Sequence, residues 1–213
     1  MSNSTAAFGS RSESEAPRPG SPFIIVFVDL IGYSKVGQEE QLQAAEKLNT
    51  AMEQALLAHG IRQLIGRLPT GDGAVLLIRP GNGVTHDAVL AFATKLLIDM
   101  HILKLFLRVG IHEGAVARAT LGTSGCQNFC SSAMNLTQRI MDFADGTERE
   151  HNGQRKVMHA IVCSSGFVRN LASEKQKHFG KEICGQAKNG QLVEVRFYYD
   201  DLEDIPPKPK MRK

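Results

Sequence analysis

Hydrophobic residues along this chain follow two rhythms. Residues 23–28 are wholly apolar and rich in β-branched side chains, as a buried central strand requires, and the run stops at Asp29. Gly32, Tyr33 and Ser34 then make a turn. Between 39 and 59 apolar residues recur at Leu42, Ala45, Leu48, Met52, Ala55 and Leu56, the three-to-four spacing of an amphipathic helix that Gly60 ends. Residues 63–68 and 74–78 read as two strands joined by Pro69-Thr70-Gly71-Asp72-Gly73, where the Asp-Gly pair favours a tight hairpin with Asp72 at its tip.

The pattern predicts a second helix over 87–103, strands over 105–111 and 115–121, a loop over 122–128 and a third helix over 131–143. A strand over 157–163, a short helix capped by Ser164 and running to Leu171, and a closing strand over 191–199 complete the reading. The order β-α-β-β-α-β with later additions predicts an α+β fold with a ferredoxin-like core.

Composition narrows the classes. With 213 residues and 42% hydrophobic content, the chain can bury one substantial core but not two typical domains. The expected organisation is a leader over 1–21, rich in Ser, Gly, Pro and charge, a catalytic-size domain over 22–203, and a basic tail over 204–213. The net charge of +3 owes much to Lys208, Lys210, Arg212 and Lys213; no aromatic residues interleave with them, so they read as a solvated tail and no nucleic-acid partner is expected.

No apolar run approaches the ~20 residues of a membrane helix, and Cys126, Cys130, Cys163 and Cys184 come without a secretory signal. A cytoplasmic protein with reduced thiols and no membrane partner is the expectation. Cys126 and Cys130 have a metal-compatible spacing but no second Cys/His pair nearby, so no zinc site is expected.

The candidate chemistry rests on carboxylates. Asp29 ends a strand and Asp72 tips a hairpin, so both reach one sheet edge if those strands are neighbours; such paired oxygen donors suit Mg²⁺ or Mn²⁺ on a triphosphate. Turn aspartates of this kind also occur without metals, bonding their own backbone. Asn135 and Arg139 stand four apart on the third predicted helix and share a face.

Four blocks in order carry a resemblance. Phe27-Val28-Asp29-Leu30-Ile31-Gly32-Tyr33-Ser34 and Thr70-Gly71-Asp72-Gly73 resemble the two metal motifs of class III adenylyl and guanylyl cyclases. Leu107-Arg108-Val109-Gly110-Ile111-His112-Glu113-Gly114 is similar to the strand and turn after that family's second helix, and Asn135-Leu136-Thr137-Gln138-Arg139 to its catalytic Asn/Arg pair.

The resemblance implies a ferredoxin-like class III nucleotide cyclase catalytic domain. In it Asp29, Asp72 and the Leu30 carbonyl hold two divalent ions, Mn²⁺ or Mg²⁺, and the Ile31-Gly32-Tyr33-Ser34 turn cradles phosphate. Asn135 orients the ribose and Arg139 neutralises the α-phosphoryl oxygens. It further implies a homodimer with two sites at the interface, because in this family the aspartates and the Asn/Arg pair of one site come from different protomers. The family's triphosphate-binding lysine has no clear counterpart: Cys184 stands in the aligned block, with Lys188 or Lys181 as substitutes. His112 reads as a packed or surface histidine.

Leu68 and Asn128 occupy the positions by which adenylyl cyclases read adenine with a lysine and an acid, and Leu68 also departs from the guanine-reading glutamate. Loss of a charged hydrogen-bonding arm weakens discrimination for a purine, while an Asn128 amide can meet the N3–H and O4 edge of uracil or, flipped, the N4/N3 edge of cytosine. In this the chain resembles the stand-alone Pycsar antiphage pyrimidine cyclases, which implies conversion of UTP to 3′,5′-cyclic UMP in antiphage defence and a separate effector protein that responds to it. Cytidylate cyclase, adenylate cyclase and a catalytically silent nucleotide-binding module are the alternatives.

Overall fold

A computed structural model describes residues 22–62, 64–121, 126–144, 148–151, 154–157, 160–186 and 190–198. The leader, the basic tail and Lys188 lie outside the described residues. Strand β1 (Pro22–Leu30) is followed by helix α1 (Gln38–Ala58), the hairpin β2 (Leu64–Pro69) and β3 (Gly73–Ile78), helix α2 (His86–Ile102) and strand β4 (Leu107–Ala115). These strands lie in the order β4-β1-β3-β2, all neighbours antiparallel, which is the ferredoxin-like arrangement expected from the element order. Strand β1 is central because its residues from Phe23 to Leu30 are buried on both faces, so neither face can be left to water.

Next come strand β5 (Ala117–Leu121), strand β6 (Cys126–Cys130), helix α3 (Ser132–Met141) and a small hairpin of β7 (Glu148–His151) and β8 (Gln154–Val157). Strand β9 (Ala160–Ser164) pairs parallel with β4, and β11 (Leu192–Tyr198) and β10 (Ile183–Gln186) extend the sheet to seven strands. Two short helices, α4 (Ser165–Arg169) and α5 (Ser173–Gln176), lie between β9 and β10.

The two faces of the sheet are covered differently. Helices α1 and α2 bury Leu48, Met52, Leu56, Leu90, Leu96 and Met100 against Ile24, Val26, Leu76 and Ile111. On the other face α3 lies directly over β4: a Cβ on Gly110 would stand 2.7 Å from the Met141 Cβ and 2.8 Å from the Thr137 oxygen, and one on Gly114 would stand 2.5 Å from the Ala133 Cβ. Two glycines four residues apart point to the same side of a strand, so they form the flat track on which the helix rests.

Several expectations need correction. Leu42 is 60% exposed; the stripe α1 buries is Ala44, Leu48, Ala51, Met52, Ala55 and Leu56, because these residues, not Leu42, face α2 and the sheet. The loop expected over 122–128 contains strand at Cys126, Gln127 and Asn128, since β6 pairs with β5 in register Ala119↔Asn128. The strand expected over 157–163 is divided: Val157 ends β8, and β9 starts at Ala160. Ser164 does cap α4, accepting from the Phe167 N–H, and also bonds His112 Nδ1 at 3.0 Å.

Candidate active site

The register of β1 and β3 brings the two aspartates together. Asp29 stands opposite Gly73, and the Leu30 N–H donates to the Asp72 carbonyl at 2.9 Å, so the hairpin loop is stitched to the end of the central strand. Gly71, at φ +92°, takes the left-handed turn that carries the loop around Asp72. On the other side of β1, the register places Arg108 opposite Asp29. The Arg108 Nε–H donates to Asp29 Oδ2 at 2.6 Å, a charge-assisted bond within the sheet.

Asp29 is only 7% exposed. Burial raises its carboxyl pKa from the usual range to about 6; the Arg108 guanidinium opposes that rise and the neighbouring Asp72 carboxyl adds to it. An acid held this far from comfort beside a second acid is a site short of positive charge. Hard oxygen donors with that deficit match the needs of Mg²⁺ or Mn²⁺, so Asp29, Asp72 and the Leu30 carbonyl fit a divalent cation.

A cleft of about 240 Å³ gathers Asp29, Leu30, Asp72 and Arg108 with the segment Ile31-Gly32-Tyr33-Ser34. Gly32, at φ +80°, precedes a single 3₁₀ turn over Tyr33–Lys35. The Ile31 N–H is spent on the Phe106 carbonyl at 2.9 Å, which removes it from the expected phosphate cradle and leaves the segment from Gly32 onward for that role. A larger cleft of about 510 Å³ lies on the α1 side of the β2–β3 hairpin. Its charged groups satisfy one another, Arg67 bonding Glu53 at 2.5 Å and Asn49 at 2.6 Å, whereas the smaller cleft gathers two carboxyl groups and a guanidinium.

Asn135 and Arg139 do not join that cleft within one chain. Helix α3 buries Ala133, Thr137, Ile140 and Met141, while Asn135 is exposed on the opposite face. Arg139, half-buried, reaches Asp142 Oδ2 at 3.2 Å, a local pair of the kind worth about 0–1 kcal/mol. Ser131 fixes the start of the helix, accepting from the Ala133 N–H at 2.9 Å and donating to the Ala115 carbonyl.

Leu68 is partly buried against the apolar cluster of Phe27, Val75 and Leu77, with Phe129 and Met134 packed on the same cluster. Asn128 lies on β6 next to Phe129. His112 is packed: burial lowers its pKa, and its ring bonds the Ser164 hydroxyl. Cys184 and Lys181 are exposed near the opposite sheet edge. There Glu182, Cys184 and Glu194 form, among the described residues, a cluster of possible metal ligands that is separated from Asp29 by strands β9 and β4.

Arg108 is the cleft residue that sequence reading did not single out. Its signal was a lone charge in the apolar strand Leu107-Arg108-Val109, but its role depends on which residue of β1 it meets.

No protein-family model and no curated protein matches the chain by sequence. Solved structures do match its fold. The guanylyl cyclase Cya2 aligns at a TM-score of 0.66 and 16% identity, covering 90% of this chain and 100% of that one. The guanylate cyclase domain of RhGC from Catenaria anguillulae, solved with GTP, aligns at 0.62 and 14% identity over 85% and 98%. The adenylyl cyclase CyaB from P. aeruginosa aligns at 0.59 and 13% identity over 89% and 98%. With its seven-stranded sheet and paired helices, the chain has the α+β fold of the class III adenylyl and guanylyl cyclase catalytic domains.

Proposed function

We propose that two copies of this chain form a nucleotide cyclase that converts UTP to 3′,5′-cyclic UMP and pyrophosphate. The observation that carries the cyclase reading is the cleft in which Asp29, Asp72 and Arg108 meet at the end of β1. At about 240 Å³ it lies below the roughly 300–1,000 Å³ of pockets that enclose whole drug-sized ligands, so it suits the triphosphate end of a nucleotide. The outward face of α3, with Asn135 and Arg139, would supply the remainder from a partner chain related by a twofold axis.

Asp29, Asp72 and the Leu30 carbonyl would hold two divalent ions, which supply the charge that eases deprotonation of the 3′-hydroxyl and neutralises the triphosphate. The segment from Gly32 to Ser34 presents backbone to phosphate oxygens, and Arg108 adds positive charge beside them. Asn135 of the partner chain orients the ribose, and its Arg139 exchanges a weak surface pair for the α-phosphoryl oxygens as their charge grows. The 3′-oxygen forms a bond to the α-phosphorus, the bond from that phosphorus to the bridging oxygen breaks, the hydroxyl proton is lost to solvent, and pyrophosphate leaves.

A pyrimidine is favoured by Leu68, which offers no hydrogen bond from its apolar cluster, while the adjacent Arg67 is turned to Glu53 and Asn49. The Asn128 amide would read the base, with UTP preferred to CTP. The resemblance to Pycsar cyclases extends this to a second messenger in antiphage defence, made in the cytoplasm and sensed by a separate effector. A purine substrate is the second reading, favoured by the guanylyl and adenylyl cyclases that share the fold.

Incubation of the purified protein with Mn²⁺ and each of the four ribonucleoside triphosphates, with products identified by mass spectrometry, tests both. Cyclic UMP and pyrophosphate are expected. A cyclic purine product would overturn the base assignment and leave the reaction; binding of nucleotide without any cyclic product would replace the enzyme by a silent regulatory module.

A further inference from the structure

The hairpin of β5 and β6 forms a two-stranded sheet of its own, separate from the seven-stranded sheet. Its strand β6 nevertheless touches β2 through Phe129. Gly66 has no side chain, and a Cβ there would stand 2.7 Å from Phe129 Cε2 and 3.2 Å from Cδ2, so the Phe129 ring rests on the bare backbone of β2. The ring also joins the apolar cluster of Val75, Leu77, Ile65 and Leu68. Gly66 lies where the β2–β3 pairing shifts register, and it is two residues from Leu68, hence on the same face of the strand.

This contact links the two strands that carry the base-reading positions. Leu68 lies two residues beyond Gly66 on β2, and Asn128 immediately precedes Phe129 on β6. We propose that Phe129 seated on Gly66 is the positioning contact that sets the spacing of the base slot, and so sets base selectivity. The inference rests on the nucleotide-cyclase reading and holds whichever base is preferred.

The physical reason is geometric. A hydrogen bond is lost once donor and acceptor stand about 3.6 Å apart or its angle falls below about 120°, and selectivity between bases depends on such bonds. Adding a methyl at Gly66 must push the ring away, since Leu77, 3.3 Å from the same Cβ, crowds the methyl as well. Asp29 and Arg139 stand on other elements, and the Asp72 loop at the far end of β2 is stitched to β1 through Leu30, so the phosphoryl chemistry is disturbed less than base recognition.

Gly66→Ala, Phe129→Ala and the conservative Phe129→Leu test this with two readouts. The first is hydrogen–deuterium exchange of the nucleotide-free protein; the second is kcat and KM for the four ribonucleoside triphosphates. Gly66→Ala and Phe129→Ala are expected to speed exchange in β5 and β6 but not in β1 and β4. They should raise KM for the preferred nucleotide about tenfold or more and flatten base selectivity, with kcat changing much less; Phe129→Leu should recover part of each.

Unchanged KM and selectivity in an active enzyme would overturn the proposal. So would faster exchange spread evenly over the whole sheet, which is the mark of a contact that serves stability alone. A wild-type chain that cyclises no nucleotide, while Gly66→Ala still loosens only β5 and β6, would overturn the enzymatic reading and leave the anchor standing.

Discussion

The end of β1 and the outward face of α3 are built on opposite plans. At the end of β1, Asp29 is locked between two neighbouring strands, bonded to Arg108 at 2.6 Å and stitched to the Asp72 loop through Leu30. On α3, Asn135 is exposed, and Arg139 is held by one weak pair to Asp142. The first region is preorganised inside one chain, and the second is an exposed helix face. The contrast teaches that the sheet register can assemble charge at high local cost, whereas a helix face can only offer groups to something that arrives.

The sharpest way to break this contrast is complementation. Asp72→Ala and Asn135→Ala should each lose about 10³-fold or more in kcat, because the first removes a carboxylate that would hold the metal ions and the second the amide that orients the ribose. Mixed in equal amounts and allowed to exchange partners, they should regain about a quarter of wild-type activity, since half the dimers are mixed and each has one intact site. Absence of recovery, measured as pyrophosphate release, would mean that the two regions do not meet across a twofold axis.

A smaller effect separates the regions by pH. The Asp29 carboxyl titrates at about 6, so its proton competes with a metal below that value. Affinity of the nucleotide-free protein for Mn²⁺, followed by electron paramagnetic resonance, should be level above pH 7 and fall by up to about tenfold per unit below 6. Arg139→Ala should leave this profile untouched. A flat profile in the wild-type chain would remove Asp29 from the metal site.

The smallest effect concerns stability. Because the folded pKa of Asp29 is raised from 3.8, the folded chain holds this proton more tightly than the unfolded one. Stability is therefore lost as pH rises through about 6, and the penalty disappears as pH is lowered towards 4. Asp29→Asn should recover of order 1 kcal/mol at pH 8, or about 2–4 °C in Tm, shrinking at lower pH. Asn135→Ala, on the exposed face, should change stability by less than about 0.5 kcal/mol at any pH. Calorimetry of the two variants would expose any reversal.

Much of the core fold was legible in the chain because local rules were consistent. The apolar run of β1, the helical spacings of α1 and α2, and the Asp-Gly hairpin each point to the element that forms. The lapses occurred where a partner decides. Leu42 matches the helical rhythm but faces away from the sheet, and β6 becomes a strand only by pairing with β5. Strand β10 and the hairpin of β7 and β8 are four-residue strands without a strong alternation of their own.

The sequence by itself determined which residue types stand at the ends of strands and on one helix face: two aspartates, an asparagine and an arginine, in an order that resembles a cyclase. It also determined the glycines at 66, 110 and 114, though not what they are for. Only the tertiary structure decided that Arg108 meets Asp29, that α3 rests on Gly110 and Gly114, and that Phe129 sits on Gly66. The reason is that local preference acts over a few neighbouring residues, whereas these contacts join residues 79 apart for 29 and 108, 27 apart for 110 and 137, 19 apart for 114 and 133, and 63 apart for 66 and 129, so strand register and helix docking decide whether they meet.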